Sequence, residues 1–94
     1  MKLHVSQRFR DDLRQEYRFI RQANPAAARV VRERIIKAIQ RLKRFPESGR
    51  AWRLVGRREL VIAGLPYIVI YAVDGDAVIV LSLFHESREV PHVH

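Results

Sequence analysis

The fold is decided by residues 9–45, which read FRDDLRQEYRFIRQANPAAARVVRERIIKAIQRLKRF. Apolar side chains recur every three or four residues on both sides of Asn24-Pro25, as in amphipathic helices. Proline suits the first position of a helix and disfavours helical backbone in the residue before it, while Asn24 can cap the new helix. The stretch therefore predicts an antiparallel hairpin of two helices, at about 7–22 and 25–44.

Each predicted helix has one apolar stripe, which needs a surface to pack against. The first stripe consists of Phe9, Leu13, Tyr17 and Ile20. The second consists of Ala27, Val31, Ile35, Ala38, Leu42 and Phe45. The surface that covers both stripes must come from the remaining chain, so we expect a sheet there.

The remaining chain is rich in β-branched and aromatic residues and predicts strands. These predicted strands cover residues 2–5, 58–63, 67–73 and 77–84. Asp74-Gly75-Asp76 is a hairpin signal between the last two strands. The strand at 67–73 is almost continuously apolar, so its second face also needs a cover, from a partner or from the loop. The prediction is a single α+β domain over 1–94: a short strand, then a helical hairpin on an antiparallel sheet that ends in a three-stranded meander.

Composition restricts the classes of function. The 94 residues contain no cysteine, which excludes disulfides and thiolate metal sites. Neither a signal peptide nor an apolar run long enough to cross a bilayer is present, so we expect no membrane partner and a cytoplasmic location.

The 18 Lys and Arg residues against 10 acidic ones give a formal charge of +8. This excess attracts anionic partners, and nucleic acid and an acidic protein segment fit equally well.

The basic residues form two groups. The first lies on the second helix and is either a phosphate-binding surface or an ordinary solvated face: Arg29, Arg32, Arg34, Lys37, Arg41, Lys43 and Arg44. The second lies around the first meander strand: Arg50, Arg53, Arg57 and Arg58, with Glu59. These arginines can hold an anion bidentately, and the alternative is that Glu59 pairs with an arginine across the strand.

His85 ends the last predicted strand, where catalytic groups often lie, and Arg88 follows it. A structural histidine is the alternative. His92 and His94 lie in the tail and, even with His4, lack the carboxylates and fixed geometry of a metal site. We therefore predict no metal and no cofactor.

The order of these elements resembles the RelE/ParE superfamily of toxins from bacterial toxin–antitoxin pairs, and several short words resemble its ParE branch. The words are Asn24-Pro25-Ala26-Ala27-Ala28, Leu42, Phe45-Pro46, Gly49-Arg50, Arg58-Glu59-Leu60, Pro66-Tyr67-Ile68-Val69-Ile70-Tyr71, His85 and Arg88. The resemblance covers about residues 3–89.

The resemblance implies a type II toxin that is neutralised by a cognate antitoxin with an acidic, amphipathic C-terminal segment. It also implies one of two targets, because ParE-like members are associated with poisoning DNA gyrase and RelE-like members with cleaving mRNA on the ribosome. The nuclease members place a cation on the penultimate strand, whereas Tyr67–Tyr71 has none, and Glu86 beside His85 would repel phosphate. The gyrase-directed, non-catalytic interpretation is therefore favoured.

Two sets of site residues follow. The expected partner-binding residues are Arg50, Arg53, Arg57, Arg58, Tyr67, Tyr71, His85 and Arg88. For the alternative, a ribosome-dependent mRNA endonuclease, the catalytic residues would be His85, Arg88 and Arg58. A third hypothesis is an antitoxin-binding relative that has lost its toxicity.

Overall fold

The computed structural model describes residues 1–87, and the predicted α+β class is confirmed. In chain order its elements are β1 Lys2–Val5, α1 Gln7–Ala23, α2 Pro25–Arg41, β2 Arg50–Ala51, β3 Arg58–Val61, β4 Tyr67–Asp74 and β5 Ala77–His85. The five strands form one sheet in the order β1-β5-β4-β3-β2. No helix within residues 1–87 is both long and apolar enough to cross a membrane.

The helical hairpin forms as its capping residues predict. The side chain of Asn24 accepts a hydrogen bond from the backbone N–H of Ala27, 3.1 Å away, and Pro25 occupies the first turn of α2. The predicted end of α2 was wrong, because the helix stops at Arg41 and tightens into a turn. As a result Phe45, predicted to be buried, is 51% exposed.

The meander β3-β4-β5 is antiparallel, as predicted. Two features of the sheet were not predicted. β1 pairs with β5 in parallel, from Lys2 opposite Ala77 to Val5 opposite Val80, so the sheet is mixed. The short strand β2 adds to β3 through the pairs Arg50–Glu59 and Ala51–Arg58. β5, the last strand within residues 1–87, thereby lies between β1 and β4.

The edge of β5 beyond β1 is covered by the start of α1. β1 ends at Val5, whereas β5 continues past Val80, so the backbone groups of its next residues need other partners. The Ser6 hydroxyl donates to the Leu81 carbonyl (2.7 Å) and accepts from the Phe9 N–H (3.0 Å). The Asp12 carboxylate accepts from the Leu83 N–H at 3.0 Å. One serine therefore both caps α1 and joins it to the sheet.

The core lies between the helical hairpin and the sheet, and α1 contributes Phe9 to it. Ile35, Ile39 and Leu42 project from the helix side onto Val69 and Tyr71 of β4 and their neighbours on β5. Ile70 alternates with these residues along β4 and therefore lies on the opposite face, yet it is 0% exposed. Both faces of the central strand are therefore buried, as its continuous apolar sequence predicted.

Replacing Ser6 by alanine should lower the free energy of unfolding by about 1–3 kcal/mol, because α1 loses its cap and the Leu81 carbonyl loses its donor. Urea unfolding measures the change. Ser48→Ala is the matched control, since Ser48 is exposed. Equal stabilities for the two variants would contradict this role of the Ser6 hydroxyl.

Candidate functional site

A groove of about 780 Å³ lies between the C-terminal half of α2 and β3. Four cations line it from the helix side and the following turn: Arg34, Lys37, Arg41 and Arg44. The first three lie at intervals of three or four residues, so they share one face of α2. Glu47 is the one acidic residue of the lining. The groove is therefore strongly positive along its helical wall.

The rest of the groove is largely apolar. Ala38 belongs to α2, Leu60 and Val61 belong to β3, and Phe45 and Pro46 close one end. Val61 is 44% exposed and Phe45 51% exposed. We refer to this combination of apolar surface and cationic wall as the basic groove. It can hold a segment that carries apolar residues on one side and carboxylates on the other.

The edge of β3 beside the basic groove has backbone groups without strand partners. β2 pairs only with Arg58 and Glu59. The N–H of Ile62 donates toward β4, to the carbonyl of Tyr67 at 3.0 Å, and successive residues of a strand direct these groups to opposite sides. Val61 therefore directs its N–H and C=O away from β4, where no strand of the described residues 1–87 pairs with them.

Sequence reasoning predicted the cations of α2 and missed the groove. A side chain of α2, Arg34, donates through Nη2 to the carbonyl of Ala63 and so links the helix to the end of β3. This contact joins residues 29 positions apart in the chain. No local sequence pattern predicts this contact, because the contact depends on which strand lies at the edge of the sheet.

The second arginine group lies in a hairpin, residues 50–59, which we call the arginine hairpin. Arg50 and Glu59, neighbours across β2 and β3, form an ion pair, as the alternative interpretation proposed. Arg58 donates through Nη1 to the Gly49 carbonyl at 2.8 Å. The guanidinium of Arg53 lies over the Trp52 ring, 5.0 Å from its centre.

The two predicted tyrosines are part of the core. Tyr67 is 3% exposed and packs edge-on against His85, with 5.3 Å between ring centres. Tyr71 is 0% exposed, and its hydroxyl donates to the Pro46 carbonyl (2.8 Å) and accepts from the Gly49 N–H (2.9 Å). A Cβ on Gly49 would lie 2.6 Å from this hydroxyl, so the close approach requires glycine.

Two residues of the catalytic alternative, Arg58 and His85, lie apart in the structure. Arg58 lies opposite Tyr71 and His85 lies opposite Tyr67, at separate points along β4. Four strand residues correspond to roughly 13 Å at about 3.3 Å per residue. The Nδ1 atom of His85 faces the Ser87 N–H at 3.2 Å. Arg88, the third member, lies outside the described residues, as do His92 and His94. Residues 1–87 contain no cluster of three His, Asp or Glu side chains that could hold a metal.

Three comparisons identify the class of protein. Residues 3–90 match a family described as the ParE toxin of the type II toxin–antitoxin system parDE. The chain is 39% identical over 75 residues to a protein of Sinorhizobium fredii described as "Putative toxin Y4kP", covering 80% of this chain and 77% of that one. A solved structure described as the chromosomal ParDE TA system from P. aeruginosa has a TM-score of 0.83 at 20% identity, covering 90% of this chain and 95% of that one.

The P. aeruginosa structure shows the fold. The family match and the Sinorhizobium relative show the class of protein. The molecule is a toxin of a type II toxin–antitoxin system. Within that class, the chain belongs to the ParE toxin family.

Replacing Tyr71 by phenylalanine should lower the free energy of unfolding by about 1–3 kcal/mol, because the buried N–H of Gly49 and carbonyl of Pro46 lose their partner. Tyr17→Phe is the control, since that ring is half-buried and lies under Arg21 at the surface. Thermal and urea unfolding measure the difference. If the two variants were equally stable, the Tyr71 hydroxyl would not hold the 46–49 segment.

Proposed function

We propose that this ParE-family toxin inhibits DNA gyrase by binding, and that a cognate antitoxin neutralises it through an acidic, amphipathic C-terminal segment. The proposed place of action is the cytoplasm. The observation that carries the antitoxin half of the proposal is the basic groove beside the open edge of β3. The gyrase half rests on the family resemblance and on the separation of Arg58 from His85.

An acidic, amphipathic segment matches the basic groove in both charge and polarity. Its carboxylates would lie against Lys37 and Arg41, where guanidinium and ammonium groups favour negative charge. Its apolar side chains would cover Leu60, Val61 and Phe45, which are partly or largely exposed. Electrostatic complementarity of this kind speeds association and excludes partners of the wrong charge.

The nuclease alternative is less favoured by the geometry. A general acid–base mechanism needs its groups within hydrogen-bonding reach of one scissile phosphate. Arg58 is bonded to the Gly49 carbonyl and lies roughly 13 Å along the sheet from His85. The penultimate strand, β4, supplies no cation, since its one charged residue is Asp74.

The purified toxin should block DNA supercoiling by gyrase, or trap cleaved DNA, and His85→Ala should still do so. The reason is that the proposed action is binding, with no proton transfer at His85. Supercoiling assays on a relaxed plasmid measure both proteins. If a large excess of toxin left supercoiling intact while ribosome-bound mRNA was cut, the gyrase proposal would be overturned and the nuclease alternative supported.

The double variant Lys37→Glu/Arg41→Glu should weaken the antitoxin complex by about 100-fold, or ~2.7 kcal/mol, because it places carboxylates against an acidic segment. Calorimetric titration with the antitoxin encoded beside the gene measures this. Arg29→Glu/Arg32→Glu changes the charge equally on the same helix, outside the basic groove, and should have a much smaller effect.

Growth assays test the remaining hypothesis, an antitoxin-binding relative that has lost its toxicity. Cells that express the groove variant with the antitoxin should grow poorly, whereas cells with the control variant and the antitoxin should grow normally. A toxin that is harmless even when expressed alone would support the non-toxic, antitoxin-binding alternative.

In the calorimetric titration, equal weakening of the antitoxin complex by the two double variants would contradict the assignment of the antitoxin to the basic groove.

A further inference from the structure

A second cavity, of about 400 Å³, lies on the opposite side of α2 from the basic groove, and the two linings share no residue. It opens between α1, α2 and β1, the outermost strand on this side of the sheet. Its β1 residues, Leu3 and Val5, lie opposite the core residues Val78 and Val80 of β5, so they are on the helical side of the sheet. We refer to it as the interhelical cavity.

The inner wall of the interhelical cavity is apolar. Its apolar residues are Leu3, Val5, Phe9, Leu13, Ile36 and Ile39. Phe9 and Ile39 belong to the core, whereas Leu13 and Ile36 are half-buried. Ligand-binding cavities have volumes of roughly 300–1,000 Å³ and are lined mainly by apolar side chains, with a few polar groups that orient the ligand. The cavity therefore has the size and the lining for the apolar part of a small ligand.

The outer wall of the cavity is cationic. Arg10 and Arg14, four residues apart on α1, and Arg32 on α2 line the cavity, and no acidic residue does. All three are exposed, which places their charged ends on the solvent side. Nη1 of Arg14 lies 3.6 Å from Oδ1 of Asp11, in an exposed ion pair that contributes little. Within residues 1–87, the guanidinium groups of Arg10 and Arg32 form neither an ion pair nor a hydrogen bond, so their charge is not compensated.

We propose that the interhelical cavity binds a single-chain amphiphilic anion of the fatty-acid class, with its alkyl chain between the helices and its carboxylate against Arg10 and Arg32. Guanidinium groups bind carboxylates bidentately, and burial of the chain against apolar walls contributes free energy in proportion to the chain's length. The carboxylate also relieves the repulsion between like charges one helical turn apart on α1. This inference goes beyond the proposed function, because it involves neither the antitoxin nor gyrase.

The size of the interhelical cavity favours a single alkyl chain over a helical segment of a protein partner. Two turns of an α-helix, about 11 Å long and about 10–12 Å wide, occupy roughly 850–1,200 Å³, which is at least twice the volume of the cavity. An inorganic anion would leave the apolar walls uncovered, and a neutral chain would leave the arginines without a counter-charge. A ligand that uses the whole lining therefore combines one alkyl chain with an anionic head group.

The test is isothermal titration calorimetry of the full chain with straight-chain carboxylates from hexanoate to dodecanoate, below the concentrations at which they form micelles. Affinity should increase by up to about fourfold for each added methylene group, and should stop increasing once the cavity is filled. Bound dodecanoate should also raise the midpoint temperature of thermal unfolding, because it binds the folded chain alone. These measurements use neither gyrase nor antitoxin, so their result is independent of the proposed function.

Variants of the lining locate the ligand. Arg10→Gln/Arg32→Gln should weaken dodecanoate binding by about tenfold or more, because the carboxylate loses both guanidinium partners. Arg18→Gln/Arg29→Gln removes the same charge from the same two helices outside the cavity, and should weaken binding less than about threefold. Ile36→Trp keeps every charge but fills the cavity, and should abolish binding. Circular dichroism establishes that each variant is folded, and the arginine variants decide the test if Ile36→Trp does not fold.

Several results would overturn the proposal. One is that the wild-type chain binds no carboxylate of the series. A second is that affinity does not depend on chain length, which would indicate attraction by the net charge alone. A third is that the two double variants lose affinity equally. A fourth is that dodecyl maltoside, which has the same alkyl chain and a neutral head group, binds as tightly as dodecanoate, because the arginines would then play no part.

Discussion

The hydroxyl of Tyr71 fixes the position of the segment that joins the helices to the outer sheet. It lies in the core and bonds both the Pro46 carbonyl and the Gly49 N–H, so the chain between them cannot move away from β4. One end of this segment closes the basic groove, and the other leads into the arginine hairpin. Both surfaces that face potential partners therefore depend on one buried polar atom, which would be costly to bury without these two bonds.

The sequence predicted the local features of this fold and missed those that depend on distant contacts. Capping at Ser6 and Asn24, the apolar periods and the Asp74–Asp76 turn act within a few residues, and the corresponding elements are present. The parallel pairing of β1 with β5 joins residues 75 positions apart, and no neighbouring residue encodes it. Phe45 was wrongly predicted to be buried because the apolar period of α2 continues in the sequence past Arg41, where the helix ends.

The candidate site follows the same division. The cations of α2 and of residues 50–58 were predicted as two groups, but the groove beside the first group was not predicted. Arg34, Lys37 and Arg41 line a groove because the outer edge of β3 is mostly open. The neighbouring strand on that side, β2, is two residues long. Tyr71 was predicted at a partner surface because an apolar strand does not reveal which of its faces meets the helices. Its hydroxyl has a structural use that only the tertiary contacts disclose.

The position of β5 has a consequence for the synthesis of this protein. The sheet order puts β5 between β1 and the other three strands, so β1 is not joined to the rest of the sheet until β5 has been made. A nascent chain that ends before β5 lacks the strand on which α1 packs and leaves β1 without a strand neighbour. The complete sheet can therefore assemble only after β5 has been made. A product truncated before β5 lacks the strand that joins β1 to β4.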